Sequence, residues 1–148
     1  MTYLFILIAV AAVAGPLLSA LPSKQQRRVA RWRDAARSAG IQVRCREPAE
    51  IPPRLQRISD EVLVCYAMRC GKQRPERASQ NSSNSLWVRT ARGWEGRDGE
   101  ALPEWLDALD TAIEAITKQP EEVQLYWTER GQDSTLEQVF EALNRLKS

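Results

Sequence analysis

The stretch VLVCYAMRC, residues 62–70, is apolar at almost every position and decides the predicted fold. A strand with one face in water alternates apolar and polar residues, whereas a strand buried on both faces is apolar throughout. Residues 62–70 therefore predict the central strand of a sheet. The other strands of that sheet must come from either side of this stretch.

Three further stretches predict strands. IQVRCR at residues 41–46 and VQLYW at residues 123–127 alternate apolar and polar side chains, as half-buried strands do. LWVRTAR at residues 86–92 is the third, and the glycines of GWEGRDGE at residues 93–100 indicate turns after it. Polar and proline-rich stretches between these strands predict loops.

Two amphipathic patterns predict helices in the C-terminal third of the chain. The first runs from Leu102 to Ile116, with Pro103 at a position that suits the first turn of a helix. The second begins at Ser134, whose spacing from Glu137 forms a capping box. The predicted element order is βββαβα in an α+β fold, with one sheet and helices packed on one of its faces.

The N-terminal residues 3–21 carry no charged side chain and predict a transmembrane helix. A helix of 19 residues is about 28 Å long, close to the ~30 Å hydrocarbon core of a bilayer. A cleaved signal peptide is the alternative interpretation, but it normally has a basic segment ahead of its apolar core, which this sequence lacks. We therefore expect a permanent anchor over residues 1–21.

The cations near this span all follow it. Because positively charged flanks stay in the cytoplasm, the N-terminus is expected outside and residues 22–148 inside, as in a single-pass protein of the bacterial inner membrane. Residues 22–40 predict a basic juxtamembrane helix, and residues 41–148 a cytoplasmic α+β domain. The helix either lies on anionic lipid headgroups or forms a solvated stalk. The residues predicted to contact the headgroups are Lys24, Arg27, Arg28, Arg31, Trp32 and Arg33.

Charge is distributed unevenly along the chain. Residues 22–60 hold ten Lys and Arg against four Asp and Glu, whereas residues 101–148 hold four against ten. A basic end beside an anionic bilayer and an acidic end away from it fit the predicted orientation. Nucleic acid is not an expected partner, because no aromatic platform or nucleic-acid motif accompanies the cations.

The residue types that carry most catalysis and metal binding are scarce. The sequence has no histidine, and its three thiols, Cys45, Cys65 and Cys70, lack the close pairing and the fourth ligand of a zinc site. It also has no phosphate-binding loop or dinucleotide fingerprint. We expect no catalytic, cofactor or metal site and no enzyme activity. In a reducing cytoplasm the thiols should be free, with Cys45 and Cys65 buried.

The tryptophans differ in how well the sequence places them. Trp105 and Trp127 fall on apolar faces of their predicted elements and are predicted core residues. Trp94 lies in the glycine-rich stretch and is placed by no periodicity. It either contacts a partner protein or folds back over an edge of the sheet.

LPSKQQRRVARWRDAARSAG, Leu21–Gly40, follows an uncharged span and resembles the membrane-exit segment of YajC-type accessory subunits of the preprotein translocase. That family continues with a Gly-Asp-x-Val pattern, whereas this chain continues with IQVRCREPAE. As a whole the chain resembles uncharacterised proteobacterial single-pass inner-membrane proteins. The resemblance implies a protein that faces the cytoplasm from the inner membrane.

Two classes of function fit these features. The first is a membrane-anchored accessory or adaptor protein, whose cytoplasmic domain binds proteins of a membrane complex. The alternative is an anchored small-ligand sensor or enzyme with a pocket in the α+β domain. The lack of histidine and of a catalytic pattern favours the first class.

Overall fold

The computed structural model describes Tyr3 and residues 23–45, 63–71, 84–97 and 101–147. Their elements, in chain order, are α1 (Lys24–Ser38), β1 (Gln42–Arg44), β2 (Val64–Arg69), β3 (Ser85–Thr90), β4 (Gly93–Gly96), a 3₁₀ helix (Glu104–Ala108), β5 (Ile113–Lys118), β6 (Glu122–Trp127) and α2 (Asp133–Lys147).

The chain divides into two compact units, Met1–Arg31 and Trp32–Ser148. Helix α1 contains residues of both units and ends before Gly40, whose φ of 78° is a conformation that glycine adopts without strain. The N–H of Ile41 then donates to the carbonyl of Ala36 at 2.9 Å, which satisfies a terminal carbonyl of the helix. The boundary between the two units, after Arg31, comes earlier in the chain than the domain boundary that the sequence predicts after Gly40.

All six strands form one antiparallel sheet in the order β1-β2-β6-β5-β3-β4. Strand β2 lies between β1 and β6, away from the edges of the sheet. Its pairing with β6 places Cys65 opposite Tyr126, far along the chain. The sheet therefore joins residues that are distant in sequence.

Both faces of the sheet are buried at β2, which explains why this strand is apolar along most of its length. On one face, the indole of Trp32 stacks on Trp127 with ring centroids 5.4 Å apart, and Tyr66 meets Trp127 edge-on at 5.3 Å. Helix α2 packs against β6 and β2. The core cluster of the opposite face contains Cys65, Ala67, Leu86, Val88, Ala115 and Tyr126.

Four predicted strands are confirmed as β1, β2, β3 and β6, but the stretch predicted as turns contains a strand. Gly93–Gly96 forms β4, which pairs with β3 through Thr90 opposite Gly93 and Trp87 opposite Gly96. Gly93 has a φ of 121°, so glycine permits the tight turn between the two strands. The glycines therefore mark the ends of a short edge strand.

The helix predicted from Leu102 to Ile116 is wrong. This stretch instead forms the short 3₁₀ helix and then strand β5. The register shifts between Ile113 and Ala115, and this irregularity sets Ile113 opposite Trp127 and Ile116 opposite Leu125. One extra residue in the strand puts two side chains three apart on the same face, which imitates helical spacing. The predicted order βββαβα is therefore wrong as well.

The membrane predictions are contradicted too. No helix that the described residues form is long and apolar enough to cross a bilayer. Helices α1 and α2 have 15 residues each, about 22 Å at ~1.5 Å per residue, and both carry charges along their length. This finding overturns the predicted transmembrane helix and the single-pass inner-membrane localisation with a cytoplasmic domain. The predicted anchor, residues 1–21, lies outside the described residues apart from Tyr3.

Candidate functional site

A groove lies between the 3₁₀ helix and α2, with a volume of about 220 Å³. One wall consists of Trp105, Ala108 and Leu109, and the other of Gln138, Glu141, Ala142 and Arg145. The groove residues of α2 recur every three or four positions, so they form one stripe along the helix. This stripe runs beside the buried face of α2 and leaves the groove open to solvent on its outer side.

Hydrogen bonds through Asp110 fix the two walls to each other. The N–H of Asp110 donates to Oε1 of Gln138 at 2.8 Å, and the hydroxyl of Thr135 donates to Oδ2 of Asp110 at 2.6 Å. Oδ1 of Asp110 accepts from the N–H of Ala112 at 2.8 Å. The loop after the 3₁₀ helix is thus tied to the first two turns of α2, and the groove is formed before any ligand arrives.

Arg89 of β3 holds the same loop from the sheet side. Its guanidinium donates to the carbonyls of Leu109 at 2.9 Å and Ile113 at 3.0 Å, and it lies 4.7 Å from the ring centroid of Trp94. Trp94 is buried on the edge strand β4. Of the two interpretations of Trp94, the structure therefore places the side chain folded onto the sheet edge.

The groove combines an aromatic ring, an ion pair and exposed apolar surface. The guanidinium of Arg145 lies 5.6 Å from the ring centroid of Trp105 and 2.7 Å from Oε1 of Glu141. Trp105, which the sequence predicts in the core, is only partly buried, and Leu102, three residues earlier in the sequence, is 44% exposed. Trp105 is partly exposed because the short 3₁₀ helix buries only Leu106. A four-turn helix would have buried one apolar face that includes Trp105.

A second charged cluster is buried against the sheet. Glu129 accepts two hydrogen bonds from Arg33, one of them from Nε to Oε1 at 2.9 Å, and a third from the Tyr66 hydroxyl at 3.1 Å. Glu129 has a φ of 54°, unusual for a residue other than glycine. The sequence YWTERG, residues 126–131, predicts a strand that runs into a turn with Glu129 in solvent, but Glu129 is only 5% exposed, so that prediction is wrong.

The environment of this cluster shifts two pKa values. Burial, reinforced by the charge of Glu129, raises the pKa of Tyr66 well above its ordinary value. The hydrogen bond to Glu129 raises the pKa of Arg33, so its guanidinium remains charged. The carboxylate of Glu129 is thus held by a cation and a neutral phenol, an arrangement typical of a structural link between elements.

The structure separates the residues predicted to contact lipid headgroups. Lys24, Arg27 and Arg31 are exposed and Arg28 is half-buried, all within the first unit. The other two predicted contacts belong to the second unit. Trp32 is buried and donates from Nε1 to Oδ1 of Asp133 at 2.7 Å, while Arg33 binds Glu129. Trp32 is therefore a core residue of that unit.

The thiols are placed at three levels of exposure. Cys65 is buried, as predicted, whereas Cys45 is exposed, so its predicted burial is wrong, and Cys70 is intermediate. Strand β1 ends at Arg44, so Cys45 lies beyond the paired residues. Across the ranges that the structure describes, no group of three or more His, Cys, Asp or Glu side chains could hold a metal ion.

Comparison with known proteins yields no match to a family model, a curated protein or a solved structure. The resemblance to YajC-type subunits therefore stays a prediction. The described residues define a class of fold, in which a six-stranded antiparallel sheet packs against α2 and a preformed groove lies between α2 and the 3₁₀ helix.

Proposed function

We propose that the chain is an accessory or adaptor protein whose second unit, Trp32–Ser148, binds a segment of another protein in this groove. The observation that carries the proposal is the partly exposed Trp105, which stands in one wall of the groove. Tryptophan is among the residue types most enriched at the energetic centres of protein interfaces.

The size of the groove supports a protein ligand. Pockets for small molecules are typically about 300–1,000 Å³ and enclose most of their ligand. A groove of about 220 Å³ that is open along one side suits one or two side chains of a longer segment. Such a segment would find the rest of its contacts on the surrounding surface.

The rigidity of the groove supports the same proposal. Asp110, Thr135 and Gln138 hold the loop against α2, and Arg89 holds it against the sheet. A preformed site loses little conformational entropy when a ligand binds. The walls of this groove would need little rearrangement to receive a partner.

A small-ligand sensor or an enzyme stays the alternative prediction. It would need titratable groups with shifted pKa values that converge on a pocket. The raised pKa values of Arg33 and Tyr66 arise at Glu129, and none of these three residues lines the groove. The groove therefore gives more support to a protein partner.

Site-specific photo-cross-linking tests the proposal. A photoreactive amino acid replaces Ala108, an exposed lining residue, in the full-length chain made in its native cells. The matched control carries the same group at Asn144, which is exposed on α2 but does not line the groove. We expect a discrete adduct with one other polypeptide from position 108 and none from position 144.

The partner is then identified by mass spectrometry, purified and titrated with the full chain. Trp105→Ala should weaken its binding at least tenfold, because truncating a central aromatic anchor commonly costs more than about 1–2 kcal/mol. An identical adduct pattern from both positions, or unchanged affinity in Trp105→Ala, would contradict the proposed site.

A further inference from the structure

We infer that the groove binds a cationic side chain of its partner, and that Arg145 occupies this cation position until the partner replaces it. The inference rests on the proposed function and names the chemistry of the ligand: a protein segment with an arginine or lysine next to an apolar residue. Arg145 would then act as a built-in competitor for its own groove.

The contacts of Arg145 define the cation position. Its guanidinium lies 5.6 Å from the centroid of the Trp105 ring and 2.7 Å from the Glu141 carboxylate. An aromatic face and a carboxylate together attract any guanidinium or ammonium group through the ring quadrupole and the negative charge. The chain thus displays the geometry in which a foreign cation would be held.

Arg145 is held loosely enough to be displaced. Its side chain is 50% exposed and that of Glu141 is 68% exposed, so water screens both contacts. The pair joins residues one helical turn apart on α2, and its loss would leave the packing of the helix on the sheet intact. Water can solvate the displaced guanidinium at once.

The charges around the groove favour a cationic partner. Glu104 and Asp107 are exposed on the 3₁₀ helix, and Glu137 is exposed on α2 one turn before Glu141. Residues 101–148 as a whole carry ten acidic against four basic side chains. An acidic surface steers a cationic partner toward the site and disfavours an anionic one.

Apolar surface beside the cation position supplies the second part of the ligand description. Leu109 and Ala142 line the groove, and Leu102, three residues before Trp105 in the sequence, is exposed. An apolar side chain of the partner could pack there while its neighbouring cation takes the place of Arg145. The combination is typical of a basic amphipathic helix.

Binding of a defined peptide to the full chain tests the inference. The probe is a fluorescein-labelled helical peptide of alanine, leucine and arginine, and its control has citrulline, a neutral isostere, in place of each arginine. Arg145→Gln should bind the arginine peptide about two- to fivefold more tightly than the wild type, the range of one exposed cation–π contact. Lys147→Gln removes the same charge outside the groove lining and should change affinity less than Arg145→Gln does.

Two carboxylate variants complete the test. Glu141→Gln should weaken binding of the arginine peptide, and more than Glu137→Gln, which removes an equal charge one turn away and outside the lining. Equal binding of both peptides, or unchanged or weaker binding by Arg145→Gln, would overturn the inference. If Arg145→Gln weakens binding of the partner that cross-links at position 108, the proposed function stands and the displacement of Arg145 fails.

Discussion

Two arginine–glutamate pairs stand beside aromatic rings in this domain, and they differ chiefly in burial. Arg33 and Glu129 lie next to Tyr66, with side chains 30% and 6% exposed. Arg145 and Glu141 lie next to Trp105, with side chains 50% and 68% exposed. A buried carboxylate that loses its cation is left without water, whereas an exposed one exchanges its partner for solvent at little cost. The first pair therefore holds the fold, and the second suits a binding surface.

The largest effect is expected from breaking the buried pair. Glu129→Gln should lower the free energy of unfolding by about 3 kcal/mol, because it leaves the guanidinium of Arg33 without its counter-charge. The partial exposure of Arg33 keeps the loss at the low end of the usual range. Urea denaturation of the full chain measures it, and Glu141→Gln, the matched change in the exposed pair, should stay within about 0.5 kcal/mol. Equal losses in both variants would contradict the comparison.

A smaller loss of stability is expected from substitutions of two tryptophans, Trp32 on α1 and Trp105 on the 3₁₀ helix. Trp32→Phe removes the hydrogen bond to Asp133 and part of the stack on Trp127, and should cost about 1–3 kcal/mol. Trp105→Phe, on the groove wall, should cost less than about 0.5 kcal/mol. Thermal or urea unfolding of both variants checks the order, and a larger loss in Trp105→Phe would reverse the assignment of core and surface.

The smallest expected effect is the loss of folding stability at alkaline pH. Burial raises the pKa of Tyr66, so above about pH 10 the unfolded chain releases a proton that the folded chain retains. Stability should therefore fall as pH rises through this window, by up to ~1.4 kcal/mol per pH unit from this group. Tyr66→Phe should show a shallower alkaline slope than the wild type in urea unfolding between about pH 9.5 and 11. Parallel slopes would show that Tyr66 ionises alike in both states.

The candidate groove could be predicted only in part. The acidic excess after residue 101 and the amphipathic pattern of α2 are visible in the sequence. The exposure of Trp105 is not, because Trp105 lies at helical spacing from Leu102 and Leu109. The bulge in β5 produces that apparent continuity by placing Ile113 and Ile116 on one face. A local sequence pattern cannot distinguish a continuous helix from a bulged strand, because both place apolar residues three positions apart on one face.

Glu129 is a buried residue whose position the sequence does not predict. It stands in YWTERG among polar residues, which is typical of a solvated turn. Its partner Arg33 lies 96 residues away in sequence, and Tyr66 lies 63 away. No periodicity within the turn predicts contacts with those residues, so the burial of this charge depends on Arg33 and Tyr66, which the tertiary structure brings to it.

The sequence by itself determined the apolar strand β2, the alternating strands β1 and β6, strand β3 and the amphipathic α2, because the patterns of these stretches reflect the side-chain period of a single element. Only the tertiary structure decided that residues 113–118 form a strand, that Gly93–Gly96 adds an edge, and that Trp32 belongs to the core. These outcomes depend on partners in other elements: β6 and β3 for β5, β3 for β4, and Trp127 for Trp32. The free energy of such pairing arises between elements, so it has no signature within any one of them.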